Sequence, residues 1–109
     1  MTTFNDREKA FEKKFEKDQE LQFKVTNRKN KLLGLWAAGL MGKSGAAAEA
    51  YAKEVVMSDF DKPGDDDVVA KLIADLGAAG KATDAAAIRR QGEKLMIDAK
   101  AQVMGETKA

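Results

Sequence analysis

The stretch Gly39-Leu-Met-Gly-Lys-Ser-Gly45 decides the fold, because its Gly42-Lys43-Ser44 triplet has two incompatible readings. One is a phosphate-binding loop between a strand and a helix. That loop needs G-x-x-x-x-G-K-[ST], the first glycine letting the backbone wrap the phosphates while Lys and Ser/Thr contact phosphate and magnesium. Ala37 stands where that first glycine should be, and the preceding Lys31-Leu-Leu-Gly-Leu-Trp-Ala-Ala38 shows no strand alternation. The other reading is a helix end, with Gly42 as the left-handed C-terminal residue and Ser44 as the N-cap of the next helix. On this reading the triplet joins two helices, and the chain is expected to be all-α.

Working outward, the rest of the chain agrees. Downstream, the spacing of Ala48, Tyr51, Ala52, Val55 and Val56 predicts a helix from about Gly45 to Asp59. Asp61-Lys-Pro-Gly-Asp65 stops it, since Pro63 cannot continue a helix and Pro-Gly is a strong turn signal. Asp65, Asp66 and Asp67 place negative charge where a helix N-terminus favours it, and they open a third helix of Val68, Val69, Leu72, Ile73 and Leu76, closed by Gly77. Thr83 is expected to cap a fourth helix reaching about Met104, with Ile88, Leu95, Met96, Ala99 and Val103 inward. Gly92 lies inside it at a cost of about 1 kcal/mol relative to Ala, which close packing against a neighbour would explain. The connections are short, so an up-down bundle of antiparallel helices is the simplest architecture.

Upstream, Phe4, Phe11, Phe15, Leu33, Trp36 and Leu40 fall within roughly one 60° sector of a helical projection, while Lys24 to Lys31 is nearly all polar. A long first helix therefore has little apolar surface to hold its middle. Glu8, Glu12, Glu16 and Glu20 form one stripe of that helix and Lys9, Lys13 and Lys17 the next. The i,i+4 repulsions and i,i+3 attractions nearly balance, at a few tenths of a kcal/mol each. The expectation is a small four-helix bundle over residues 19–109, preceded by an arm over residues 1–18 that is disordered or partly helical when free and helical when bound.

Composition narrows the function. A chain of 109 residues makes one domain with a single core. It has no Cys and no His, which excludes disulfides, thiolate nucleophiles, imidazole bases and the ordinary zinc sites. Residues 1–31 hold nine basic and six acidic side chains and residues 32–109 ten and twelve, giving the net charge of +1. The signs are mixed throughout, so no basic stripe for nucleic acid is present. No apolar run approaches the roughly 18 to 20 residues of a membrane span, and the start lacks a signal peptide's apolar stretch, so a soluble cytoplasmic protein, monomeric when free, is expected.

Asp59-Phe-Asp-Lys-Pro-Gly-Asp-Asp-Asp-Val-Val-Ala70 is a near miss to a calcium-binding EF-hand loop. Acids fill its first, third and ninth places and Gly64 the sixth, but Pro63 holds the fifth and Ala70 the twelfth, where a bidentate Glu belongs. A Pro-Gly turn with an acidic helix start accounts for every residue. The Glu stripe of the arm likewise lacks the His that a di-metal bundle centre uses. No enzyme activity, metal or cofactor is therefore expected. Phe4, Phe11 and Phe15 stand out instead, because three aromatic anchors on so polar a segment either fold back onto the bundle or dock into a partner's groove.

Several blocks together resemble a known family. Thr2-Thr-Phe-Asn-Asp-Arg-Glu-Lys-Ala-Phe-Glu-Lys-Lys-Phe15, Arg28-Lys-Asn-Lys-Leu-Leu-Gly-Leu-Trp-Ala-Ala38, Ala50-Tyr-Ala-Lys-Glu-Val-Val56 and Asp59-Phe-Asp-Lys-Pro-Gly-Asp65 resemble, in order, the zeta subunit of alphaproteobacterial F-type ATP synthases. The resemblance implies a regulatory inhibitor of ATP hydrolysis, acting much as the mitochondrial ATPase inhibitor protein does. It implies a four-helix globular part carrying an N-terminal segment that enters the cleft between catalytic alpha and beta subunits, approaches the gamma shaft and blocks rotation in the hydrolytic direction. Carried over by position, Phe4, Asp6, Arg7, Glu8, Lys9, Phe11 and Phe15 form the partner-binding arm. The location implied is the cytoplasmic face of the inner membrane, held there through the synthase. Two other readings of the chain are a structural subunit that does not inhibit and a small metal- or nucleotide-responsive helical protein.

Overall fold

The computed structural model describes residues 19–59 and 65–107, and every described element is a helix. They are α1 (Gln19–Leu40), α2 (Gly45–Ser58), α3 (Asp66–Ala78) and α4 (Ala85–Thr107). Side-chain contacts give the chain directions. Asn30 meets Asp59 while Gly34 lies against Ala52 and Val55, so α1 and α2 are antiparallel. Tyr51 in the first half of α2 meets Asp75 near the end of α3, so these two are antiparallel as well, and Arg89 in the second turn of α4 meets Asp65 and Asp66 at the start of α3. Leu21 and Val25 share a cluster with Ala99 and Val103, which closes the bundle with α4 antiparallel to α1.

The turn that decided the fold is a helix end. Gly42 has φ +81°, its N–H donates to the Gly39 carbonyl, and the Lys43 N–H donates to the Ala38 carbonyl. That pair of bonds is the Schellman arrangement, which satisfies carbonyls left open by the last turn of α1. Ser44 takes the extended conformation of an N-cap, but its side chain makes no capping bond. The same closure ends α3 at Gly80 (φ +79°), through Lys81 N–H to Leu76 and Gly80 N–H to Gly77. Gly77, expected to close that helix, lies within it. The cap of α4 is also one residue later than expected: Asp84, not Thr83, accepts from the Ala87 N–H through its carboxylate at 2.8 Å. α4 then runs to Thr107, past the expected Met104.

The main core joins Leu33, Ala37 and Ala38 of α1, Ala48, Tyr51 and Val55 of α2, Val68, Val69, Leu72 and Leu76 of α3, and Ile88 of α4. So many small residues let helices approach closely. Nowhere is this tighter than at Gly34, where an added Cβ would lie 2.7 Å from the Ala52 Cα. Two expectations for α1 change. Leu40 is exposed, since the Schellman turn ends the helix beside it. The polar stretch from Lys24 to Lys31 is well anchored: Val25 is fully buried, Asn30 is buried with its amide donating to Asp59 at 3.1 Å, and Arg28 reaches across to α4.

Candidate partner-binding surface

The seven residues assigned to the arm, Phe4, Asp6, Arg7, Glu8, Lys9, Phe11 and Phe15, lie outside the described residues, as does Asp61 of the near-miss calcium loop. The described residues begin at Gln19, the first residue of α1. The first two turns of α1 face the last turns of α4. Leu21 and Val25 bury themselves against Ala99 and Val103, with Leu32 and Met96 at the edge of the cluster. The Arg28 guanidinium spans the pair of helices. One nitrogen donates to the Gln102 side-chain oxygen at 2.8 Å and the other to a Glu106 carboxylate oxygen. The end of α4 is therefore level with the start of α1.

At the opposite end of the molecule, Tyr51 donates its hydroxyl to Asp75 at 2.7 Å, and Lys71 pairs with the same carboxylate at 3.0 Å while lying 5.2 Å from the Tyr51 ring centre. Burial and the carboxylate together push the Tyr51 hydroxyl far above its ordinary pKa. Burial alone would raise the Asp75 carboxyl, but the Tyr51 hydrogen bond and the Lys71 charge overcome it and hold Asp75 below the usual carboxylate range. At Asp59 the balance is reversed: burial raises it despite the bond from Asn30 and the nearby Lys29. Lys43 and Ser44 of the phosphate-loop near miss sit in a helix-to-helix turn, with no strand before them. Among the described residues no group of three or more acidic side chains is placed to hold a metal.

A hollow of about 320 Å³ opens between α1, α3 and α4. Leu33, Val68, Val69, Ile88 and Met96 make its apolar walls, and Lys29, Asp65, Arg89 and Glu93 its charged rim. Gly92 lies in its lining, which corrects the expectation of close packing there. Gly92 is buried, yet a Cβ added to it would meet nothing within 4 Å. The close approach is at Gly34 instead, on a helix where no start or stop signal calls for glycine; that mismatch was the available clue in the sequence. Arg28 was missed altogether, because its partners lie 74 and 78 residues away.

Fold and surface together define a small all-α protein whose four described helices pack as a bundle. The chain belongs to the ATPase inhibitor subunit zeta family, whose model matches residues 1–102. Its coarse role follows from that membership: it is an inhibitor subunit of an ATPase. The chain is also similar to a protein solved by solution NMR, at 48% sequence identity and a TM-score of 0.69, over 79% of this chain and 98% of that one. No curated protein matches it at a significant level. No helix among the described residues is long and apolar enough to cross a membrane.

Proposed function

We propose that the chain inhibits ATP hydrolysis by an F-type ATP synthase by inserting an N-terminal helix, residues 1–18, into the cleft between a catalytic beta subunit and its alpha neighbour. There the arm contacts the gamma shaft and blocks rotation in the hydrolytic direction, while residues 19–109 stay outside as an anchor. The observation that carries this reading is the composition of residues 1–18, three phenyl rings on a segment otherwise rich in mixed charge, in a chain whose family match begins at residue 1.

Phe4, Phe11 and Phe15 supply the grip. Each phenyl ring stabilises the docked state by about 2 kcal/mol when enclosed, and the mixed charges of Asp6, Arg7, Glu8 and Lys9 pair with the cleft walls. Ordering the arm offsets part of that gain. As a helix rising about 1.5 Å per residue, Thr3 to Gln19 spans about 25 Å, enough to reach deep into a subunit interface. The protein works on the cytoplasmic side, held to the membrane only through the synthase, and uses no cofactor.

The test is the double variant Phe4→Ala with Phe11→Ala. It should raise the dose needed to halve ATP hydrolysis by the isolated catalytic sector at least tenfold while changing bundle stability by less than about 1 kcal/mol. A loss of stability as large as the loss of inhibition would place those rings in the core and contradict the reading.

A further inference from the structure

Gly92 answers no structural need of the fold. Its φ is not in the left-handed region, and an added Cβ would meet nothing within 4 Å. It lies inside α4, where alanine is the better helix former. What the missing side chain does is keep open the hollow of about 320 Å³ between α1, α3 and α4. Protein interiors are otherwise close-packed, and apolar space left unfilled costs stability. The fold gives up stability twice at one place, in the helix and in the packing, and a binding site is where such concessions are expected.

The chemistry of the hollow defines its occupant. Its walls, Leu33, Val68, Val69, Ile88 and Met96, are apolar. On the rim, Arg89 is held by Asp65 and Asp66 at 3.6 and 2.8 Å. Lys29 and Glu93 are the rim charges that no ion pair engages among the described residues, Lys29 acting on Asp59 only through space. One unpaired cation and one unpaired anion beside an apolar floor complement an apolar side chain flanked by both signs, and they give no excess of positive charge to hold an anion or a nucleic acid. A space at the lower limit of ordinary ligand pockets takes a side chain, not a helix. We infer that the hollow is an anchor pocket for the ATPase, receiving one bulky apolar side chain from the outer surface of the catalytic sector, with an acidic neighbour against Lys29 and a basic one against Glu93. The inference rests on the proposed function only for the identity of the partner, and not on the arm.

Full-length variants test this through their affinity for the isolated catalytic sector, measured by calorimetry. Gly92→Met fills the hollow from within; it should unfold at the same or a higher urea concentration than the parent and bind about tenfold more weakly. Should that variant fail to fold, Gly92→Ala narrows the hollow while favouring the helix, and a roughly two- to fivefold loss of affinity is expected of it. Glu93→Lys changes an exposed side chain outside any ion pair and should weaken binding by roughly two- to fivefold. Lys94→Glu, the next residue of α4 and off the rim, should leave affinity unchanged. Parent-like affinity of the folded Gly92 variant overturns the inference and leaves the arm reading standing, as does an effect of Lys94→Glu as large as that of Glu93→Lys in either direction. Self-association of the parent in analytical ultracentrifugation, abolished by filling the hollow, assigns the pocket to a second copy and overturns the inference too. A parent chain that does not bind the sector at all overturns it together with the proposed function.

Discussion

At Gly34 a missing methyl group decides how closely α1 and α2 approach. A Cβ there would sit 2.7 Å from backbone and 3.2 Å from Val55, so Gly34→Ala should destabilise by about 1–3 kcal/mol despite alanine's better helix propensity. Gly92 is the control within the same fold. Nothing opposes a Cβ there, so Gly92→Ala should stabilise by about 1 kcal/mol. Urea unfolding of the two variants beside the parent checks both signs. Tyr51 and Asp75 carry the pH dependence at this scale. The Asp75 pKa is lowered in the fold, so its stabilisation is complete above the ordinary carboxylate range and fades as pH falls through the lowered value. Tyr51→Phe removes one of the bonds that lower it, and should cost about 1 kcal/mol at pH 7 and flatten the loss between pH 5 and pH 3, read by denaturation at each pH.

The helices begin and end where local chemistry satisfies their open backbone groups. Gly42 and Gly80 hold the left-handed positions of two Schellman turns, and Asp84 bonds the first turn of α4. Asp84→Ala should therefore cost about 1 kcal/mol, and Thr83→Ala close to nothing, in thermal unfolding. Such devices act over three to six residues, which is why four helices, their order and the helix end at Gly42 were legible in the sequence. The errors were small shifts among competing signals: Gly77 stood nearer the last apolar residue than Gly80 did, and Thr83 precedes an Asp that caps better. The anchoring of the polar middle of α1 was not legible. Arg28 and Asn30 look like solvated residues until the fold brings Glu106 and Asp59 to them.

On the scale of the whole molecule, the described helices enclose two buried clusters. Among the described residues the main cluster unites all four helices, and the smaller one joins α1 to α4 through Leu21, Val25, Ala99 and Val103. Family membership makes the chain an ATPase inhibitor subunit, and the block resemblance that pointed there was carried by residues along most of the chain. The partner-binding role proposed for Phe4, Phe11 and Phe15 rests on their chemistry, three rings on a segment otherwise rich in charge. The most direct measurement is ATP hydrolysis by the isolated catalytic sector, titrated with the full chain and with a chain lacking Met1 to Asp18. The account predicts that the full chain inhibits and that the shortened chain does not, while circular dichroism shows the shortened chain still helical and cooperatively folded. Inhibition retained by a folded bundle without its first eighteen residues would contradict it.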